Sequence, residues 1–231
     1  MKKYLVFLLV LILVPLFGEA AGQVSAKKII DQINRGDKVM YENAVITGEL
    51  SFVSIKDFEK KKEGFTSKKF TYHVRVPVIF KNCEFEGDVL AYYHDKDENE
   101  THMAMFHKDT LFQGCTFKQK SAFKYSKFYK AAGFPGNKYY EEALFKYAEF
   151  SEDTEFVKSV FKDDANFKYA EFPENADFSM SEFSSEANFK YTKFKRAVNF
   201  EKSRFDEECD FKYTKFKFIQ FINHICWRFR K

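Results

Sequence analysis

The side chains of this protein with the most chemistry to offer recur together. Phe-Lys-Tyr opens at Phe123, Phe145, Phe167, Phe189 and Phe211, so the motif returns at one constant interval along the chain. Any architecture that comes back to one place at that interval sets Lys124, Lys146, Lys168, Lys190 and Lys212 in one column. Tyr125, Tyr147, Tyr169, Tyr191 and Tyr213 then form the next. Ammonium groups beside a flat aromatic wall suit an extended polyanion or glycan, which meets charge and apolar area together. Cations interleaved with rings also suit single-stranded nucleic acid, a ligand that an exported protein seldom meets. The same columns have a purely structural use, in which stacked rings stiffen a sheet and lysines keep it soluble and monomeric. Stacked lysines repel by about 1 kcal/mol per neighbour in bulk water, and less in salt. The column at 127, 149, 171, 193 and 215 reads Lys, Glu, Glu, Lys, Lys, so carboxylates stand only near its middle.

Other reactive side chains give weaker patterns. The histidines are His73, His94, His102, His107 and His224; His94, Asp95, Asp97, Glu98 and His102 crowd one segment. Their spacing matches no metal loop, so a solvated charged excursion is expected there, with no metal and no cofactor. Asn99-Glu-Thr fits a glycosylation acceptor only on a eukaryotic secretory route. There is no Gly-rich phosphate loop, nucleophile elbow or recurrent acid–base pair. No catalytic residue is assigned and enzymatic activity is not expected. Of the four cysteines, Cys83 and Cys115 occupy equivalent places in "FKNCEF" and "FQGCTF", one motif interval plus an insertion apart. Stacked on neighbouring strands they would lie about 5 Å apart, within disulfide range. A Cys83–Cys115 bridge in an oxidising compartment and two unbridged thiols in small core positions both remain open. Cys209 and Cys226 carry no assignment.

The phenylalanines show what must position these columns. From Phe106 the aromatics fall at 112, 117, 123, 128, 134, 139, 145, 150 and onward to 216, in steps that alternate six and five. Two residues before each stands a small side chain, such as Ser121, Ser126, Ala132, Asn137, Ala143 and Ala148. Residues at i and i+2 share a side only in extended backbone, so the small residue and the ring both face inward. The next two or three residues turn a corner. Four such walls fill the interval from one Phe-Lys-Tyr to the next, and that is one coil of a four-sided parallel β-solenoid. Fixed-period self-similarity outranks local propensity, and steps of five and six keep no face of an α-helix. The composition agrees: 31 Phe and 13 Tyr beside 31% charged residues imply regular alternation and exclude a disordered chain.

The segments "ANFKYAEF", "ADFSMSEF" and "VNFEKSRF" resemble pentapeptide-repeat proteins, in the variant with a central Phe and alternating five/six spacing. The resemblance is strict over 104–216 and loose over 41–91. It implies an all-β fold, a right-handed quadrilateral parallel β-helix, a hand that agrees with the general rule for parallel crossovers. Some members of this family are rod-like DNA mimics that inhibit a type II topoisomerase. Those rods need an acidic exterior and a cytoplasmic address, whereas this chain has a net charge of +4 and an apolar leader. The leading expectation is an exported, non-catalytic solenoid used as a binding or scaffolding surface. DNA mimicry is the alternative, and a hydrolase acting in the groove beside the insertions is a more distant one.

The remaining segments divide as follows. Residues 1–20 read as a signal peptide, with Lys2 and Lys3 before an apolar run from Tyr4 to Phe17 and small residues at Gly18 and Ala20; an uncleaved anchor is the alternative. Residues 21–40 read as an N-terminal helical cap bearing Ile29, Ile30 and Ile33 and ending at Gly36. The β-helix is expected over 41–217, opening with Ala44 and Ile46 inward, with surface excursions at 56–73 and 94–102 that leave the pairing. Residues 218–231, with Phe218, Ile222, Ile225 and Phe229 on one stripe, read as a short helical cap or tail, or as a basic membrane-surface helix. A protein or an anionic or glycan polymer is the expected kind of partner. Nucleic acid is not expected, and membrane contact would be confined to 218–231 or an uncleaved leader. The predicted compartment is periplasmic or extracellular.

Overall fold

The computed structural model describes residues 22–63 and 67–220; the leader and the segment beyond 220 lie outside them. The chain winds as a four-sided parallel β-helix. Thr116–Phe117 pairs with Lys138–Tyr139, which leads in turn to Val160–Phe161, Glu182–Phe183 and Arg204–Phe205, each one motif interval further along the chain. In the first coils the offset is longer (Val78 opposite Thr110, and Val39 opposite Val78), because chain is inserted between rungs. Described strands fall into sheets of eight, seven and fifteen. The largest is two walls joined where Lys193–Asn199 runs round a corner and pairs with both.

Hydrophobic burial supplies the stability and ring geometry fixes the bore. The walls' inward aromatics stack in four columns. Phe123, Phe145, Phe167, Phe189 and Phe211 follow one another at 5.2, 5.1, 5.0 and 4.8 Å between centroids. Adjacent columns meet edge to face, as Phe156 meets Phe167 at 5.1 Å and 86°. Both arrangements suit the aromatic quadrupole, and a fully buried Phe is worth up to about 3 kcal/mol. The small inward residues also hydrogen-bond. Ser159, Ser181 and Ser203 donate from Oγ to the carbonyls of Phe134, Phe156 and Phe178 in the preceding coil, at 2.8, 2.7 and 2.6 Å. These three buried hydroxyls are tolerated because each has a partner, whereas Ser121 and Ser126 in equivalent inward positions bury an Oγ without one.

The N-terminal end is covered as expected, with one difference. Ala26–Arg35 is a helix. The Ser25 side chain accepts from the Lys28 amide at its start, and left-handed Gly36 (φ 80°) closes it. Ala26, Ile29 and Ile33 are buried against the bore, while Ile30 is only partly covered. The β-helix nonetheless begins before this helix, since Gly22–Ser25 pairs with Ala44–Thr47. Ala44 and Ile46 point inward.

Two further expectations are corrected. The segments read as surface excursions are hairpins that continue the sheet. Phe58–Glu63 pairs antiparallel with Ser67–Val74, and Tyr92–Asp95 with Glu100–Phe106. The two hairpins then pair with each other in parallel from Glu100 opposite Lys68 to Phe106 opposite Val74. Their polar sequence hid this because they pair mainly with one another and bury few rings in the bore. At the other end, the helix expected from 218 is, over its described part, the end of a strand. Lys215–Gln220 stays parallel to Lys193–Asn199 but shifts register by one residue at an irregularity between Phe194 and Ala197: Phe216 lies opposite Phe194, and Phe218, Ile219 and Gln220 lie opposite Ala197, Val198 and Asn199; residues 221–231 lie outside the described residues. No helix among the described residues is long and apolar enough to cross a membrane.

Candidate functional site

Each Phe-Lys-Tyr triplet occupies a corner. The amides of Ser126, Ala148, Ala170, Thr192 and Thr214 donate to the carbonyls of Phe123, Phe145, Phe167, Phe189 and Phe211, three residues back, at 2.9–3.1 Å. The tyrosine stands third in the turn with φ between 58° and 61° in all five cases, the left-handed position of a type II turn that glycine or asparagine usually fills. The opposite corner is an internal control. There the positive-φ residues are Asn43, Asn82, Gly114, Gly136, Lys158, Met180 and Lys202. The backbone therefore accepts several residue types at this position, and only the side chain explains five tyrosines in succession.

That side chain stacks. Tyr125, Tyr147, Tyr169, Tyr191 and Tyr213 follow at 4.8, 4.7, 4.7 and 4.8 Å, with ring planes within 1–21° of parallel. Left-handed backbone at a non-glycine residue costs on the order of 1–3 kcal/mol; a stacked pair returns about 0.5–1.5 kcal/mol, and an inner tyrosine has two. The tyrosine amide also donates to the lysine carbonyl of the next coil, as Tyr147 does to Lys168 at 3.0 Å, which locks the spacing. Stacking changes what the wall can do. Each inner ring has both faces covered by neighbours, so the wall presents electropositive ring edges and hydroxyls, and no face on which a sugar or base could lie.

The lysines run alongside. Their Nζ atoms lie 5.0, 5.4, 5.4, 5.8 and 5.0 Å from the centroids of the tyrosines that follow them. Among the described residues none of the five is in an ion pair, whereas the neighbouring column is neutralised by Lys127–Glu149 at 2.8 Å and by Lys193 and Lys195 on Glu171. Partial burial, and then the charges of Lys124 and Lys168, hold the Lys146 ammonium below its ordinary pKa. Hydrogen bonding from Lys193 lowers the Glu171 carboxyl. The column thus carries uncompensated positive charge.

Both hairpins leave the solenoid at this same corner. Ala91 donates to Ala122 O at 2.7 Å and Ala104 donates back to Ala91 O at 2.8 Å, so residues 92–103 stand where a Phe-Lys-Tyr turn stands later. A groove lies on each side of the corner. One of about 310 Å³ runs past Tyr125, Tyr147 and Tyr169 to Met103 and Met105 of the hairpin. The other, about 790 Å³, contains Lys124 together with Tyr72, Tyr92, Tyr93, His94 and His102. Here His102 Nδ1 is 3.0 Å from the Tyr72 hydroxyl, and burial lowers the proton affinity of His102. These tyrosines carry no repeat signal, and their placement depends on hairpin pairing that periodicity does not encode. The acidic and histidine residues at 94–102 do not converge on a cation, since no group of three metal-ligating side chains occurs among the described residues.

Cys83 and Cys115 lie on one wall at equivalent rungs, beside the pairing of Glu84 with Thr116, and are free thiols. A hydrogen bond from Cys115 holds the Cys83 thiol down to about 7, while that interaction and burial push Cys115 up. Cys209 is disulfide-bonded.

Residues 145–180 and 167–215 match the family model described as pentapeptide repeats, nine copies. These matches support a pentapeptide-repeat protein. The matched stretch carries four of the five Phe-Lys-Tyr corners. No curated protein and no solved structure matches the chain.

Proposed function

We propose that this pentapeptide-repeat protein is an exported, non-catalytic scaffold whose Phe-Lys-Tyr corner binds an extended acidic glycan. The observation that carries the reading is the column of lysines without ion pairs among the described residues, spaced by tyrosines stacked at 4.7–4.8 Å. An anionic chain lying along it meets one ammonium and one phenol per coil. Contact is edge-on, so charge and hydrogen bonding carry the affinity and salt weakens it. The leader supports export, and an extracytoplasmic address favours a glycan over nucleic acid.

Hyaluronan and polygalacturonate are suitable probes, titrated at low and high ionic strength. Joint Lys146→Gln, Lys168→Gln and Lys190→Gln should weaken binding at least about tenfold and flatten its salt dependence. Joint Tyr147→Ala, Tyr169→Ala and Tyr191→Ala should weaken it through lost spacing. Binding indifferent to both triples refutes the corner as the site. N-terminal sequencing of fractionated protein should find a chain beginning after Ala20 outside the cytoplasm; an intact Met1 in the cytoplasm overturns export.

A further inference from the structure

We infer that the 790 Å³ cleft beside the second hairpin is a carbohydrate-end site, taking the last one or two sugars of a glycan whose chain continues along the lysine column. The inference rests on the corner reading above and adds where the polymer stops. Three observations carry it.

The first is topological. The hairpin of residues 92–103 is inserted at the very corner that carries the lysine and tyrosine columns. Toward the later coils no hairpin interrupts the corner among the described residues, and Tyr213 is 55% exposed. Toward the earlier coils it runs into the hairpin. A chain on the column must end there, and Lys124, the first lysine of the column, also lines the cleft.

The second is the state of the rings. Along the column every inner tyrosine face is covered. In the cleft Tyr92 meets Tyr125 at 53° and 5.8 Å, and Tyr93 meets His102 at 45° and 5.9 Å, so neither belongs to a parallel stack. Tyr93 is 49% exposed. Lys124 Nζ stands 4.5 Å over the Tyr92 ring, so it is Tyr93 that offers an aromatic face for the apolar side of a sugar ring at the end of the corner, where the inner tyrosines of the column offer none.

The third is the polar lining. Glu49 lines the cleft with no partner among the described residues, and Lys124 donates to the Tyr92 hydroxyl at 3.0 Å. His102 is held by Tyr72. Leu90 adds apolar floor. Lys96 and Lys120 line the cleft with Lys124, beside the carboxylates of Glu49 and Asp88, and such opposed donors and acceptors around an apolar patch match a ring of hydroxyls that carries a carboxylate. The volume suits one or two sugars, since pockets for small ligands run to roughly 300–1,000 Å³.

The test uses the full mature protein with a panel of uronate- and hexosamine-containing disaccharides and with hyaluronan and polygalacturonate, measured by calorimetry. Tyr93→Ala and Glu49→Gln alter exposed side chains, and their thermal unfolding is checked first. Disaccharide binding should fall at least about tenfold in each and be unchanged by the Lys146, Lys168 and Lys190 triple, while polymer binding should respond to both sets. If no disaccharide binds, or if binding ignores Tyr93→Ala and Glu49→Gln, the end site is wrong, even where polymer binding still depends on the lysines. If disaccharides bind through Tyr93 and Glu49 but polymers bind no better and ignore the lysines, the corner reading fails and the cleft stands alone.

Discussion

A tyrosine in left-handed backbone occupies a conformation its own Cβ resists, and this chain repeats the choice in five coils. Stacking is the offsetting force, and the opposite corner supplies the comparison. Met180→Gly removes the left-handed cost without touching a ladder, so it should leave stability unchanged or raise it by up to about 1 kcal/mol. Tyr169→Gly relieves the same cost but removes two stacked contacts, at 4.7 Å each, and should come out destabilising by about 1 kcal/mol. Urea unfolding of the two variants decides, and equal shifts would remove stacking as the reason for the tyrosines. Protonation is a second residue-scale effect. Burial depresses the proton affinity of His102 and His107 below the usual 6.5, so the unfolded chain binds protons more tightly. Stability is full above that value and declines as pH drops through it toward the folded values. Unfolding midpoints at pH 7.5 and 5 should differ accordingly, and less so in His102→Gln; equal midpoints in the parent protein would contradict it. The columns themselves were legible in the sequence, because a pair of inward residues per wall leaves a fixed spacing. The sign of φ at the tyrosines was not, since nothing in Phe-Lys-Tyr marks a left-handed residue as Pro135-Gly136 does at the facing corner. Without that sign, edges and faces of the rings cannot be told apart.

At the scale of elements, the coil and the hairpin follow different rules. A coil is specified by inward rings every five or six residues, which is why 104–216 could be read rung by rung and why a single pairing offset held throughout it. The hairpins are specified by each other. Lys68 to Val74 and Glu100 to Phe106 pair over seven positions, yet alternating Lys, Glu and Thr resembles a solvated loop when each segment is read alone. The insertion is also removable in principle. Replacing residues 92–103 by Lys-Tyr would leave Ala91-Lys-Tyr-Ala104-Met105-Phe106, in the pattern of Phe145-Lys-Tyr-Ala148-Glu149-Phe150, and restore a coil of regular length. Circular dichroism should retain the β-helix, unfolding should remain cooperative, and disaccharide binding should vanish with the cleft. Persistent disaccharide binding in a folded variant of this kind would locate that site elsewhere.

Across the whole molecule, each coil touches only those before and after it, so stability accumulates rung by rung, as in other repeat arrays. That one-dimensional logic made the architecture readable from one period, and it also explains what escaped. Among the described residues the first strand, Gly22–Ser25, and the last, Lys215–Gln220, extend the pairing past the boundaries that ring spacing suggested, because such a rung needs only a neighbour's backbone to dock on. The backbone also fixes the rise from coil to coil, and the five tyrosines register it in four successive gaps of 4.7–4.8 Å. Reach is therefore graduated like the marks on a yardstick, one mark for every turn of the chain. Splicing in one more coil would lengthen the hold on a long polymer by a single notch and leave the grip on a short one as it was.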